Sequence, residues 1–139
     1  QFDYGVNTAF GTNCFVNFNL VVLDCCPVII GNDVLMGPNC TLATPIHPML
    51  IEERKVKFME DCTPYDEEYA APINIEDGCW LASNVTVCGG VTIGKGAIIG
   101  AGSVVTRDIP EGVFAAGNPC RVIRKITEKD SIKYRKDLF

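Results

Sequence analysis

The 139-residue sequence holds one histidine and one tryptophan, and its eight cysteines form no Cys-x-x-Cys pair. The ligand spacing of a zinc site is therefore missing, and no metal is expected. Basic residues are scarce as well: 12 lysines and arginines stand against 17 aspartates and glutamates, a net charge of −5. That balance excludes a general nucleic-acid binder, which needs a broad basic face to displace counterions. Any anion site must be local. Apolar runs are cut by Gly, Asn or Asp every few residues, none reaches the length of a membrane span, and no basic-then-apolar stretch opens the sequence. The expectation is a cytoplasmic protein with neither a membrane nor a nucleic acid as partner. A hydrophobic content of 47% suffices for one sizeable core, hence one domain.

What the chain does have is a six-residue beat. Aliphatic or aromatic residues recur at Tyr4, Phe10, Val16 and Val22, resume at Ile30 and Met36, and return as Ile75, Leu81, Val87, Ile93, Ile99 and Val105. Three residues after each stand Asn7, Asn13, Asn19, Cys25, Asp33, Asn39, Gly78, Asn84, Gly90, Gly96, Gly102 and Asp108, of which all but Cys25 are Gly, Asn or Asp. These types tolerate a left-handed backbone, so each hexad reads as a short strand plus a corner. The next residue is small or apolar: Thr8, Cys14, Leu20, Cys26, Val34, Cys40, Cys79, Val85, Val91, Ala97, Ser103 and Ile109. Two inward positions per hexad describe a triangular coil of three hexads, stacked about four coils high. An ordinary parallel sheet with crossover helices needs helical stretches between strands, and residues 75–105 leave no room for one.

Other patterns read as by-products of the repeat. Cys14, Cys26, Cys40 and Cys79 fall on the small inward position, where a thiol behaves as a small hydrophobe, while Cys25, Cys62, Cys88 and Cys120 share no evident logic. Asn39-Cys40-Thr41 and Asn84-Val85-Thr86 match glycosylation acceptors by accident of the hexad. Gly94, Gly96, Gly100 and Gly102 are spaced by the hexad, not by a dinucleotide-binding fingerprint.

The beat breaks once, over residues 43–72, for an excursion long enough to suggest function. His47, the lone histidine, stands at its start beside Pro48, close to the coil wall. By itself a single loop histidine is more often a solvated bystander than a catalyst.

The segments DYGVN (3–7), NFN (17–19), IGNDVLMGPN (30–39), HP (47–48), IGKGAIIGAGSVVTRDIP (93–110) and AAGNPCRVI (115–123) together resemble the maltose, galactoside and nodulation-factor O-acetyltransferases of the hexapeptide-repeat superfamily. The likeness runs over essentially the whole chain. It implies an all-β fold, a single-stranded left-handed parallel β-helix over residues 1–126 with loop 43–72 inserted, followed by a C-terminal capping helix over 127–139. Thr127 followed by Asp130 reads as the N-cap signal of that helix. Members of the family carry a helical segment before the DYG motif, whereas this sequence starts almost on it.

The resemblance also assigns roles. His47 matches the general base, which takes the proton of a sugar hydroxyl as it attacks the thioester of acetyl-CoA. The backbone N–H of Ser83 matches the donor to the developing oxyanion. Asp3, Phe15, Asn17 and Cys25, with Asp24 nearby, match the acceptor pocket; Phe15 stands where Tyr is frequent and Cys25 where Asp is found, so two polar handles are lost. Ala101 and Thr106 match contacts to the pantetheine or adenosine part of coenzyme A, and Arg121 and Arg124 match basic residues near its nucleotide. Independently, Arg121, Arg124 and Lys125 form a cationic cluster in an acidic chain, suited to local capture of an anion. The resemblance further implies a homotrimer with active sites between subunits, with Tyr65 to Tyr69 (YDEEY) lining the cleft.

Competing functions are an acetyltransferase for serine or an antibiotic hydroxyl, a catalytically silent trimeric scaffold, and a metal-dependent hydratase on the same fold. The last needs three histidines, and the sequence has one.

Overall fold

The computed structural model describes residues 1–134. Its strands form three parallel sheets that the chain visits in fixed rotation. The first face carries Thr8–Phe10, Val28–Ile30, Ile73–Ile75 and Thr92–Ile93; the second carries Phe15–Val16, Leu35–Met36, Trp80–Leu81, Ile98–Ile99 and Val113–Ala116; the third carries Val21–Leu23, Thr41–Ala43, Thr86–Cys88 and Val104–Val105. Register exposes the repeat directly. Trp80 lies beside Ile98, eighteen residues on, the length of three hexads. Thr8 lies beside Val28 and Val28 beside Ile73, because two extra residues precede Val28 and the long excursion precedes Ile73.

Alternation within each strand sends one set of side chains inward. Val22, Ile30, Met36, Ile75, Leu81, Val87, Ile93, Ile99 and Val105 are buried, as the beat requires. Tyr4 and Phe10 are exposed despite keeping time, since the described chain has no rung beneath them. Leu42 continues the beat one step past Met36 and is fully buried, so the excursion starts after a complete third strand. Cys26 leaves the inward track: the two-residue insertion hands its place to Val28, which is fully buried while Cys26 is half-buried.

Nine of the twelve expected corners are left-handed, with φ from 56° at Asp33 to 84° at Gly90. Asn7, Cys25 and Asp108 are the exceptions, and all three lie where the regular coil is entered, widened or left. Cys25 is thus no strained corner but part of a wider turn.

The C-terminal α-helix expected over 127–139 is replaced, in its described part, by two 3-10 turns at Glu128–Asp130 and Ile132–Tyr134; residues 135–139 lie outside the described residues. Asp130 accepts from the Thr127 N–H at 2.8 Å, so the N-cap signal is used, but Ser131 is extended and stops the turn. The stack is closed on the second face by Arg121–Lys125, which pairs antiparallel with Val113–Ala116 and ends the parallel ladder.

Candidate active site

The excursion is a ladder, not a floppy loop. Pro45–Ile46 pairs antiparallel with Tyr69–Ala70, and Lys57–Phe58 pairs with Pro64–Tyr65 farther out. His47 directly follows the inner pair, so its backbone is held against the returning chain. Across from it, Glu68 places Oε1 3.6 Å from His47 Nε2, both side chains being partly exposed. Sequence reasoning flagged the YDEEY segment but gave Glu68 no role of its own. The signal was there: a strand that returns antiparallel to residues 45–46 brings the residue before Tyr69 opposite the one after Ile46.

The same corner, between the third and first faces, gathers Asp3 and Cys25. The Cys25 thiol stands 3.7 Å from Asp3 Oδ2. Desolvation pushes this thiol's pKa up, and the nearby carboxylates of Glu68 and Asp3 push it further. Beneath them Asp24 is fully buried, and its carboxylate accepts from the N–H of Tyr4, Gly5 and Asn7 and from the Thr8 hydroxyl. Burial alone would raise its pKa, but the hydrogen bonds donated by Gly5, Tyr4, Asn7 and Thr8 prevail and bring it down to about 2.

The corner between the second and third faces holds a different group. Phe18, Pro38, Ser83 and Ala101 hold equivalent places in four successive turns that follow the second-face strands, and Asn17 directly precedes Phe18. Among the described residues neither the Ser83 N–H nor the Ala101 N–H has a hydrogen-bond acceptor. At the opposite corner, by contrast, the N–H groups of Thr12, Asn32 and Lys95 are taken by side chains of Asn32, Asp77 and Glu76. Ser83 is half-buried and Ala101 exposed, so these backbone donors are free to meet an acceptor from outside the chain.

Phe15 and Arg124 lie elsewhere again, on the outer surface of the second face, in a row that runs Phe15, Leu35, Trp80, Ile98, Phe114, Arg124. Arg124 packs 6.0 Å from the Phe114 ring centre and donates to both Asp130 oxygens at 2.8 and 2.6 Å. A groove of about 270 Å³ lies there, lined by Trp80, Ile98, Phe114, Arg124, Ile126 and Asp130. Arg121 donates to the Cys120 carbonyl at 2.8 Å and pairs with Ala116, at the same edge as Ala101. Thr106 follows Val104–Val105 on the side of His47.

One chain therefore does not unite the expected catalytic pair. Ser83 precedes the third-face strand Thr86–Cys88 and His47 follows its in-register neighbour Thr41–Ala43, so the two stand at opposite ends of the third face.

Residues 72–107 match the family model described as bacterial transferase hexapeptide (six repeats), and residues 27–47 match that of the hexapeptide repeat of succinyl-transferase. A hexapeptide-repeat containing acetyltransferase from Vibrio cholerae is 33% identical, superposes with a TM-score of 0.81, and is matched over 91% of this chain and 67% of its own. This chain belongs to the hexapeptide-repeat acetyltransferases. Within that family the galactoside O-acetyltransferase of Escherichia coli (strain K12) is 46% identical over 136 residues, which are 98% of this chain and 63% of that protein. A solved galactoside acetyltransferase in complex with coenzyme A is 44% identical with a TM-score of 0.81, over 93% of this chain and 60% of that one. The chain thus spans a little under two thirds of the curated relative's length. No helix among its described residues is long and apolar enough to cross a membrane.

Proposed function

We propose that this hexapeptide-repeat chain transfers the acetyl group of acetyl-CoA to a hydroxyl of a sugar of the maltose, glucose or galactoside type. The observation that carries the reading is His47, held at the root of the excursion by the antiparallel pair and faced by the Glu68 carboxylate at 3.6 Å. A carboxylate on the Nε2 side favours the ring proton there and leaves Nδ1 as the acceptor. That nitrogen takes the proton of the acceptor hydroxyl as its oxygen bonds to the thioester carbon. The tetrahedral oxyanion is met by the unused N–H of Ser83, and collapse expels the coenzyme A thiolate, which recovers the proton from the imidazolium. No acetyl-enzyme is needed.

Ala101 and Thr106 would line the path of the coenzyme, with Arg121 and Arg124 near its phosphates; Asp3, Asn17, Phe15 and Cys25 would meet the acceptor. The separation of His47 from Ser83 supports a homotrimer in which one subunit's His47 corner meets another's Ser83 corner. A closed ring of three copies satisfies that geometry at every interface. The coil is taken as left-handed, spanning residues 1–126, and the protein as cytoplasmic.

A thiol-release assay with acetyl-CoA and a panel of glucosides, galactosides, maltose, serine and chloramphenicol tests the reading. Turnover with a sugar that falls on His47→Ala supports it. Turnover with serine or the antibiotic alone reassigns the acceptor. Coenzyme binding without any turnover overturns the enzymatic reading in favour of a silent scaffold.

A further inference from the structure

Asp24 is a carboxylate sealed from solvent with no lysine or arginine among its hydrogen-bond partners. A buried charge is tolerated only when its lone pairs are filled, and an apolar residue would pack such a site at less cost. What an apolar residue could not do is set a backbone path. Oδ1 accepts from Tyr4 N–H at 2.9 Å and Gly5 N–H at 3.1 Å, and Oδ2 from Asn7 N–H and Thr8 Oγ1, both at 3.1 Å. The Asn7 side-chain amide adds a bond to the Asp24 carbonyl at 2.8 Å. Residues 4–8 are thereby wound around one carboxylate. Asp3, the residue just before them, is pinned from its other side by its N–H to the Val22 carbonyl at 3.0 Å. The result is Asp3 Oδ2 at 3.7 Å from the thiol of Cys25, Asp24's own neighbour in sequence.

We propose that Asp24 is a positioning residue for the acceptor: by organising residues 4–8 it sets Asp3 against Cys25 and so shapes the wall that a sugar meets beside His47. The inference rests on the acceptor reading of Asp3 and Cys25 given above, and it makes Asp24 act through Asp3, never on substrate directly.

The test uses Asp24→Asn and Thr8→Val. The second variant removes one donor while keeping shape and charge, and it stands in for the first should Asp24→Asn fail to fold. Two readouts are taken: the acceptor KM beside the Kd for acetyl-CoA, and the pH profile of Cys25 alkylation by iodoacetamide, read on its own peptide. The charges facing Cys25 are Glu68, Asp3 and Asp24. Thr8→Val leaves all three in the chain, so a changed profile in that variant reports movement of Asp3. Expected are a tenfold or greater rise in acceptor KM for Asp24→Asn and a few-fold rise for Thr8→Val. The Kd for acetyl-CoA should stay within twofold, and Cys25 should alkylate faster, at lower pH, in both. An unchanged Cys25 profile in Thr8→Val, or KM and Kd that move together with the folded fraction, overturns the proposal. Should no sugar be turned over at all, the acceptor reading fails, while the alkylation profile still decides whether Asp24 positions Asp3.

Discussion

Pro38 and Ser83 occupy the same place in neighbouring turns. Leu35 and Met36 pair with Trp80 and Leu81, the Asn84 N–H donates to the Pro38 carbonyl at 2.9 Å, and Asn39 and Asn84 follow with φ of 61° and 60°. A corner of this shape accepts proline at its first central position, where φ near −65° is already required. Proline there removes an N–H and little else.

Ser83→Pro is therefore expected to fold like the parent, with a melting temperature within a few degrees, and to lose roughly 10²–10³ in kcat, the usual worth of one oxyanion donor. Ser83→Ala keeps the N–H and should retain activity within a few-fold. Gly37→Ala is a third arm: a Cβ there would meet the Ser83 nitrogen at 2.7 Å and push that turn aside, so it should lower both kcat and stability. Equal activity in the proline and alanine variants would remove the Ser83 amide from the mechanism.

For the imidazole, His47→Ala should lower kcat by about two or more orders of magnitude with unchanged affinity for acetyl-CoA. Glu68→Gln keeps the size of its side chain but loses the charge facing Nε2, and should lower kcat about tenfold. Coenzyme binding measured by calorimetry separates these losses from misfolding. A Glu68→Gln enzyme as fast as the parent would make that contact incidental.

Much of the fold was legible because a narrow coil leaves each inward position almost no choice of size, so Ile75, Leu81, Val87, Ile93, Ile99 and Val105 repeat without interruption. What broke the rhythm was harder to see. The two residues inserted before Val28 disguise which of Cys26 and Val28 turns inward, and only strand register resolves it. Thr127 and Asp130 signal the start of a turn, yet the same N-cap chemistry opens a 3-10 turn as readily as an α-helix. Cys120 had no place in the hexads because it lies beyond the last regular corner; its N–H reaches the Val104 carbonyl at 2.8 Å and its side chain is fully buried. In the candidate site, His47 stood out by rarity, whereas Glu68 needed the antiparallel return of the excursion and Asp24 needed five residues folded around it.

Arg124 offers a test of the coenzyme side. Its guanidinium is held by Asp130, whose carboxyl is brought down to about 2 by the Arg124 hydrogen bonds and then by the Thr127 N–H. If phosphate groups use this arginine, they compete with that carboxylate. Arg124→Ala should raise the KM for acetyl-CoA about tenfold or more, the worth of a charge-assisted hydrogen bond, with kcat little changed. Asp130→Asn should lower the same KM by freeing the guanidinium. Opposite signs in the two variants are the expected result, and a KM indifferent to both would place the phosphates elsewhere.

Asp24 ties one part of the acid limb of stability to a single segment, apart from the share that Asp130 contributes at the other end of the chain. The folded pKa of Asp24, about 2, lies below the ordinary 3.8, so the stability it contributes is fully present above pH of about 4 and is lost as pH falls through about 2. Protonation would remove a charged acceptor from Tyr4, Gly5, Asn7 and Thr8 together, while the hexad core, built from uncharged side chains, has no reason to respond. Amide hydrogen exchange, corrected for the intrinsic rate at each pH, should show protection at Tyr4, Gly5 and Asn7 failing between pH 4 and 2 while amides of Trp80–Leu81 and Ile98–Ile99 hold. In Asp24→Asn the same three amides should lack that pH dependence and exchange fast even at neutral pH. Simultaneous loss of protection in both regions would mean that the segment opens only with the whole coil, and that Asp24 has no separate hold on it.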